Sequence, residues 1–237
     1  MSELLRARKS CRDFTSQRIE RDVLDDILRD AMQSPSWSNT QPYRLAIAEG
    51  EVKDQLSADF KRRYEKAARI QGGSKLRQLC AFLTGNEGFP KSDYKQALVY
   101  PPELQQRRLV TAKGLYSLLN IAREDRDKRD QQMARNFEFF GAPTAIFIFT
   151  HKGLGAYSVL DAGILLQSIM LAAEARGVAS CAQGALAVWR SPLDKHFKVP
   201  KDYKLLCGVS LGYASDHIVN QYTPARIPAE QLLVDLK

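Results

Sequence analysis

Basic and hydroxyl side chains cluster near the start of the chain, in the segment Arg8-Lys9-Ser10-Cys11-Arg12. Cations and a hydroxyl at this spacing could hold a phosphate through charge-assisted hydrogen bonds. The alternative is structural, because cations also favour the C-terminus of a helix, where this segment is predicted to lie. The segment alone leaves both interpretations open.

A second pattern lies at residues 35–42, PSWSNTQP, where hydroxyl and amide side chains stand between two prolines. Amide side chains both donate and accept hydrogen bonds, so they suit a heterocycle that carries N–H and C=O groups along its edge. The alternative is a loop that only connects a helix to a strand.

Two later features are weaker when each is taken alone. Gln183 and Gly184 follow a predicted strand, and a glycine there lets backbone N–H groups approach a planar ligand closely. Arg226 stands alone in the segment PARIP, which by itself is typical of a surface charge.

The apolar periodicity predicts the elements that must position these residues. We expect a short first helix capped by Ser2, and a short helix that begins at Ser191-Pro192 and reaches Phe197. Longer helices are predicted at 20–33, 51–70, 103–122, 125–138 and 159–176, and strands at 44–48, 144–150, 178–181 and 204–213. This order is not a regular alternation of strands and helices, so it indicates an α+β fold.

Composition and charge exclude several classes of protein. The 237 residues are 44% apolar and 26% charged, which is enough apolar material for a core and excludes a long disordered chain. The net charge of +8 is dispersed, because bases and acids interleave as they do at residues 123–130. Such a mixed stretch predicts a solvated helix face, and the modest excess fits a small anionic ligand better than a nucleic acid.

The remaining chemistry-bearing residues favour no metal centre, nucleophile or membrane span. Uncharged stretches such as 162–173 are shorter than the ~20 residues of a spanning helix, and the N-terminus lacks a signal sequence, so a cytoplasmic location is expected. The four cysteines are widely spaced and predict free thiols, with Cys181 unlinked to any catalytic histidine. Asp161 is expected to cap or hydrogen-bond within the core rather than act as a base.

Taken in order, these features resemble the FMN-dependent nitroreductase family, and within it the subgroup of nitrobenzoate reductases. Residues 8–12 are similar to the family's RRSxR opening, and residues 35–43 to its PSxxNxQPW segment. Further similarities lie at Gly141-Ala142-Pro143, Asp161-Ala162-Gly163, Gly177, Leu211-Gly212-Tyr213, and Arg226 with Pro228. The resemblance runs along nearly the whole chain.

The resemblance implies a fold and an assembly. It implies one domain over residues 1–237, with a central, mostly antiparallel sheet flanked by helices. Residues 71–102 would form a lid or an insert. Two copies would intertwine into a homodimer with FMN at their interface.

The resemblance also implies roles for individual residues. Arg8, Ser10 and Arg226 would hold the FMN phosphate, Lys9 would lie near the pyrimidine edge or the ribityl chain, and Arg12 would stabilise negative charge at the N1–C2=O edge. The backbone N–H of Gln183 would face flavin N5, with Gly184 beside it. The contacts from the other subunit would be Pro35, Ser36, Trp37 and Asn39.

The sequence departs from the family pattern at four of these places. Lys9 replaces an arginine, and Tyr43 replaces a tryptophan. Trp37 stands where a small residue is common, and Pro224 stands where some members have a second phosphate-binding lysine. These differences bear on the substrate range and on FMN affinity more than on the fold.

The implied activity is that of an FMN-dependent oxidoreductase. NADH or NADPH would deliver hydride to the flavin and leave, and a small aromatic acceptor, a nitroaromatic or a quinone, would then take its place in a ping-pong cycle. A flavin reductase or a reductive dehalogenase of the same fold is one alternative. A basic anion- or nucleic-acid-binding protein without catalysis is another, and we expect neither nucleic-acid nor membrane partners.

Overall fold

A four-stranded antiparallel sheet forms the centre of the computed structural model, which describes residues 1–95 and 99–234. Its strands are β1 (Tyr43–Glu49), β2 (Thr144–His151), β3 (Ala179–Gln183) and β4 (Tyr203–Gly212), in the spatial order β1-β2-β4-β3. Every neighbouring pair is antiparallel. The predicted α+β class and the antiparallel sheet are confirmed.

Eight α-helices are present in the described part of the chain. They are α1 (Ser2–Ala7), α2 (Arg21–Ala31), α3 (Gly50–Gln71), α4 (Lys75–Leu83), α5 (Pro102–Leu118), α6 (Arg126–Ala134), α7 (Ala156–Glu174) and α8 (Ser191–Asp194). Short 3₁₀ segments lie at Trp37–Asn39, Arg135–Gly141, Lys152–Leu154, Gly184–Ala187, Ile218–Gln221 and Ala229–Leu232.

Strand β2 separates two halves of the core because its side chains alternate between the two faces of the sheet. Phe147 and Phe149 point to the face that α3 covers, where Phe147 packs with its ring centroid 6.3 Å from that of Phe60. Ile146 and Ile148 point to the opposite face, which α2 and α7 cover. The apolar run that predicts a buried central strand is therefore buried on both sides.

Helix α7 is the core helix of the second half. By length and composition alone it could cross a membrane. In the fold, Leu165 and Ile169 are fully buried in the cluster that also holds Ile146 and Ile148. The chain leaves the helix through Gly177, whose φ of +70° is the left-handed conformation expected at a helix stop.

Several predicted boundaries are wrong by a few residues. Met1, not Ser2, is the N-cap of α1, and Arg190 is the N-cap of α8, which ends at Asp194. The helix predicted to reach residue 138 ends at Ala134, where a 3₁₀ segment begins in which Phe139 and Phe140 have positive φ and are buried. Strand β3 extends to Gln183, two residues past its predicted end.

Part of the buried face of α3 is charged rather than apolar. Val52 is 36% exposed, whereas Asp59 and Arg63 are buried and hydrogen-bonded to each other at 2.9 Å. The Lys195 ammonium donates to the second oxygen of Asp59 at 2.6 Å. Arg62 also donates to Asp59, at 2.6 Å. A buried carboxylate with three cationic partners is satisfied, which is the condition for charged groups to lie in a core.

Residues 71–102 contain α4 and an irregular stretch, of which residues 96–98 lie outside the described part. Lys91 forms a bridge with Trp189, and the Tyr94 and Thr150 hydroxyls are 2.6 Å apart. These contacts attach the segment to the sheet, while its role as a lid or insert stays a prediction. The cysteines, as predicted, are free thiols.

Candidate functional site

The segment of residues 8–15, which we call the N-terminal edge segment, extends the sheet beyond β3. Ser10 forms a parallel bridge with Ser180 of β3, and the Cys11 amide donates to the Ser180 carbonyl at 2.9 Å. Further along, Phe14 bridges Ala214 just after β4. Backbone pairing therefore holds the predicted phosphate-binding residues at the edge of the sheet.

Two buried polar atoms at this edge lack a hydrogen-bond partner. The Nε of Arg8 and the Oγ of Ser180 are buried, and neither is paired with another described residue. Buried polar groups are nearly always satisfied in native proteins, so unpaired ones mark a place for a ligand or ordered water. A guanidinium beside a hydroxyl matches a phosphate, and this edge therefore fits the FMN phosphate that the resemblance implies.

Arg12 is fixed by a residue from the far end of the sequence. The Asn220 side chain accepts from the Arg12 amide at 2.8 Å and from the Asp13 amide at 3.2 Å. Its amide nitrogen donates to the carbonyls of Asp13, at 2.7 Å, and of Ser215, at 3.0 Å. The Asp13 carboxylate pairs in turn with Arg135 at 2.6 Å. Sequence reasoning missed Asn220 and Asp13, because neither belongs to a recognisable motif.

Gln183 and Gly184 lie where β3 ends and a short 3₁₀ turn begins. The Gln183 side chain is buried, donates to the Asn136 carbonyl at 2.8 Å and accepts from the Ser210 hydroxyl. A Cβ placed on Gly184 would meet nothing within 4 Å. Gly184 therefore faces an open space, which we call the Gly184 cleft, with a volume of about 380 Å³.

The cations of the N-terminal edge segment lie close enough to β3 to affect the pKa of Cys181. Burial raises the pKa of the Cys181 thiol to about 11, while the charges of Arg12 and Arg8 oppose this rise. Cys181 is consequently a neutral thiol at physiological pH, in agreement with its predicted lack of a nucleophilic role. Over residues 1–95 and 99–234, no set of His, Cys, Asp or Glu side chains is arranged to hold a metal ion.

Asp161 of α7 holds the loop of residues 35–42. Its buried carboxylate, 2% exposed, accepts from the Trp37 amide at 3.1 and 3.2 Å. The Ser36 hydroxyl accepts from the Gln41 amide at 3.0 Å, and Asn39 has a positive φ of 55°. Such strained backbone persists only where surrounding contacts fix it. The predicted structural role of Asp161 is confirmed.

The side chains of this loop are open to solvent in the single chain. Pro35 and Asn39 are exposed, and Trp37 is 51% exposed with its ring centroid 4.2 Å from that of Tyr157. The loop leads directly into β1, at the opposite edge of the sheet from the N-terminal edge segment. Four strand spacings separate the two edges, or roughly 19 Å. Within one chain, the loop of residues 35–42 and the N-terminal edge segment, which are the two predicted halves of the flavin site, therefore lie far apart.

Lys9 and Arg226 are exposed. Arg226 donates to carbonyls of its own segment, at 2.7 Å to Pro224 and 3.5 Å to Ala225. Within the described part of the chain it makes no hydrogen bond with Arg8 or Ser10. Its role toward a phosphate stays a prediction.

Comparison with known proteins assigns the family. Residues 5–213 match the family model of the Nitroreductase family. The chain belongs to the nitroreductase family.

Relatives within this family match the chain over most of its length. The 4-nitrobenzoate reductase of Nocardioides sp. (strain LMS-CY) is 27% identical over 96% of this chain and 86% of its own length. The 4-nitrobenzoate reductase of Pseudomonas putida is 30% identical over 89% of this chain and 84% of its own length. The FMN-dependent nitroreductase NfnB from Mycobacterium smegmatis, solved in complex with NADPH, is 26% identical with a TM-score of 0.82, and the match covers 100% of this chain and 97% of that one.

Proposed function

We propose that this protein is an FMN-dependent NAD(P)H oxidoreductase that reduces nitroaromatic compounds or quinones. The observation that carries the proposal is the buried, unpartnered Nε of Arg8, held beside β3, whose end opens into the Gly184 cleft. The nitrobenzoate reductases and NfnB among its relatives support the same chemistry.

Residues of the N-terminal edge segment and the C-terminal stretch would hold FMN. We assign Arg8, Ser10 and Arg226 to its phosphate and Lys9 to its pyrimidine edge or ribityl chain. Arg12, which Asn220 fixes through the Arg12 backbone, would hold a positive charge against the ring edge where reduction places negative charge. When bound, FMN supplies the hydride-transfer chemistry, which no side chain of this protein can perform.

Gln183 would contribute its backbone N–H rather than its side chain, because hydrogen bonds to Asn136 and Ser210 already engage the side-chain amide. Gly184 would keep the space beside the ring clear, since no Cβ occupies it. Together these residues would hold the edge of a planar ring and leave open space beside it.

A second copy of the chain would complete the site. The contacts we assign to the partner copy lie at the opposite sheet edge and are Pro35, Ser36, Trp37 and Asn39. Trp37 belongs to an exposed apolar surface that continues over α7 through Tyr157, 46% exposed, and Leu160, 57% exposed. Apolar side chains at this level of exposure are typical of a surface that another protein covers. We therefore propose an intertwined homodimer.

Residues 71–102 would form a wall of the acceptor site within a single domain of residues 1–237. Tyr94 and Tyr100 line the Gly184 cleft together with Gly184 and Ala185. The hydrogen bond between the Tyr94 and Thr150 hydroxyls anchors this wall to β2. The size of the cleft suits a small aromatic acceptor. We also propose that the enzyme is located in the cytoplasm.

The test begins with the purified protein and added FMN. We expect a yellow protein whose flavin is bleached anaerobically by NADPH or NADH and restored by a nitroaromatic, with a hydroxylamine as product. Turnover with free flavins or halogenated phenols, but not with nitroaromatics or quinones, would instead assign a flavin reductase or a dehalogenase. A protein that stays colourless and oxidises no nicotinamide would refute the proposal.

A further inference from the structure

A cavity with a volume of about 1100 Å³ lies along α5 and α6. Leucine, isoleucine, methionine and tyrosine side chains form much of its wall, and no described carboxylate lines it. Its basic lining residues are Arg107, Arg108, Lys113, Arg123 and Arg129. We call it the cationic cavity.

These five cations form no salt bridge within the described residues, whereas some cations elsewhere in the protein do. Arg190, for example, is paired with both Asp93 and Asp194. None of the five cavity cations forms an ion pair with a carboxylate in residues 1–95 or 99–234. The Nε of Arg129 is buried without any hydrogen-bond partner there. Four of these five residues are exposed, so water and salt screen part of their mutual repulsion, and an anionic ligand bound among them would relieve the rest.

The cationic cavity adjoins the proposed flavin site on two sides. Tyr100 lines both this cavity and the Gly184 cleft, and the Arg108 guanidinium lies 5.3 Å from the centroid of its ring. On the other side, the Thr111 carbonyl of the cavity wall accepts from the Tyr222 hydroxyl at 2.8 Å. Tyr222 follows two residues after Asn220, which fixes Arg12.

We propose that the cationic cavity binds the adenosine end of the electron donor and selects NADPH over NADH through its 2′-phosphate. A dinucleotide whose nicotinamide lies in the Gly184 cleft could pass Tyr100 and place its adenosine end among the cavity cations. The apolar wall suits the adenine ring, and a phosphate monoester adds about −1.5 to −2 charge for the cations to bind. A small aromatic acceptor would not fill the cationic cavity and would not supply enough negative charge for its five cations. The inference rests on the proposed function and names the donor of the same site.

Binding of 2′,5′-ADP to the FMN-loaded protein tests the inference without turnover. This probe differs from 5′-AMP only by the 2′-phosphate, so calorimetry with both isolates that group. We expect 2′,5′-ADP to bind at least about tenfold more tightly, the effect of one charge-assisted hydrogen bond. The substitutions Arg108→Gln and Arg129→Gln should each remove most of this preference.

The matched control is Arg18→Gln, which removes one positive charge from an exposed residue before α2, outside the cavity lining. It should keep the wild-type preference, which excludes a general effect of net charge. In parallel, the ratio of kcat/KM for NADPH to that for NADH should fall about tenfold in Arg108→Gln and stay unchanged in Arg18→Gln.

Two results would overturn the inference while leaving the proposed function intact. One is a yellow, active enzyme that binds 2′,5′-ADP and 5′-AMP equally. The other is an intact dimer that binds neither probe, as when a second copy fills the cavity. Failure to take up FMN, in contrast, would overturn the proposed function and this inference together.

Discussion

Replacement of Asn220 by alanine tests how the far end of the chain supports the flavin site. The Asn220 side chain is 7% exposed and makes four hydrogen bonds, two of them to the amides of Arg12 and Asp13. At a net value of about 0.5–1.5 kcal/mol each, their loss should lower the free energy of unfolding by about 2–6 kcal/mol. Denaturant titration measures this change.

The same substitution should weaken FMN binding beyond its effect on stability. Without Asn220, the backbone of Arg12 loses the contact that fixes its position, and we expect an FMN dissociation constant about tenfold higher, or about 1.4 kcal/mol. Fluorescence titration of the folded variant measures this constant.

The control is Asn86→Ala, which removes a single hydrogen bond, from the Gly88 amide at 2.9 Å, in the segment after α4. It should leave FMN affinity at the wild-type value. If Asn220→Ala lowered stability and kept wild-type FMN affinity, Asn220 would be a purely structural residue and the reasoning about Arg12 would be wrong.

Three further substitutions address other parts of the site and the core. Arg8→Ala should weaken FMN binding by about 1–3 kcal/mol in the same titration, because a charged hydrogen bond to the phosphate is lost; unchanged affinity would contradict the assignment. Gly184→Val should raise KM for the aromatic acceptor while shifting the free energy of unfolding by no more than about 0.5 kcal/mol, because its side chain enters open space. A large loss of stability would show that the cleft is closed. Burial raises the pKa of Asp59, but hydrogen bonds from Lys195 and Arg63 outweigh burial and hold the pKa below its ordinary value. The stability that this carboxylate contributes is therefore present above an unfolded pKa of about 3.9 and lost as the pH falls through the lower folded pKa. Asp59→Asn should be less stable than wild type at neutral pH and lose less stability on acidification, as denaturant titrations across this range would show. Parallel pH profiles would contradict the reasoning.

The sequence pattern predicts the central elements well because they are locally determined. The continuous apolar run at residues 144–150 becomes β2, buried on both faces, and the near-uniformly apolar 159–176 becomes most of α7. Errors fall at boundaries, where tertiary contacts override local preference. Residues 135–141, for example, form a 3₁₀ segment instead of continuing the predicted helix, and the rings of Phe139 and Phe140 are buried in the core.

The parts of the site that sequence reasoning missed depend on contacts between distant residues. Asn220 meets Arg12 across 208 positions of the chain, and no local pattern marks either partner for the other. The mixed charges at residues 123–130 predict a solvated face, and part of that prediction holds, since Lys128 pairs with Asp125. Arg123 is exposed as well and Arg129 is half-buried, and both line the cationic cavity. The sequence does not distinguish the cations on α6 that pair with acids from those that line the cavity, because the packing of α5 and α6 determines which is which.

The attachment of the loop of residues 35–42 to α7 links assembly to cofactor binding in the proposed dimer. Asp161 fixes the Trp37 backbone onto the same helix that exposes Tyr157 and Leu160. A second copy that covers this surface of α7 therefore also meets the loop, and by symmetry presents its own loop in return. In the proposed dimer, formation of the interface and completion of the flavin site would therefore be one event, because Asp161 fixes the loop of residues 35–42 to the helix that would form the interface.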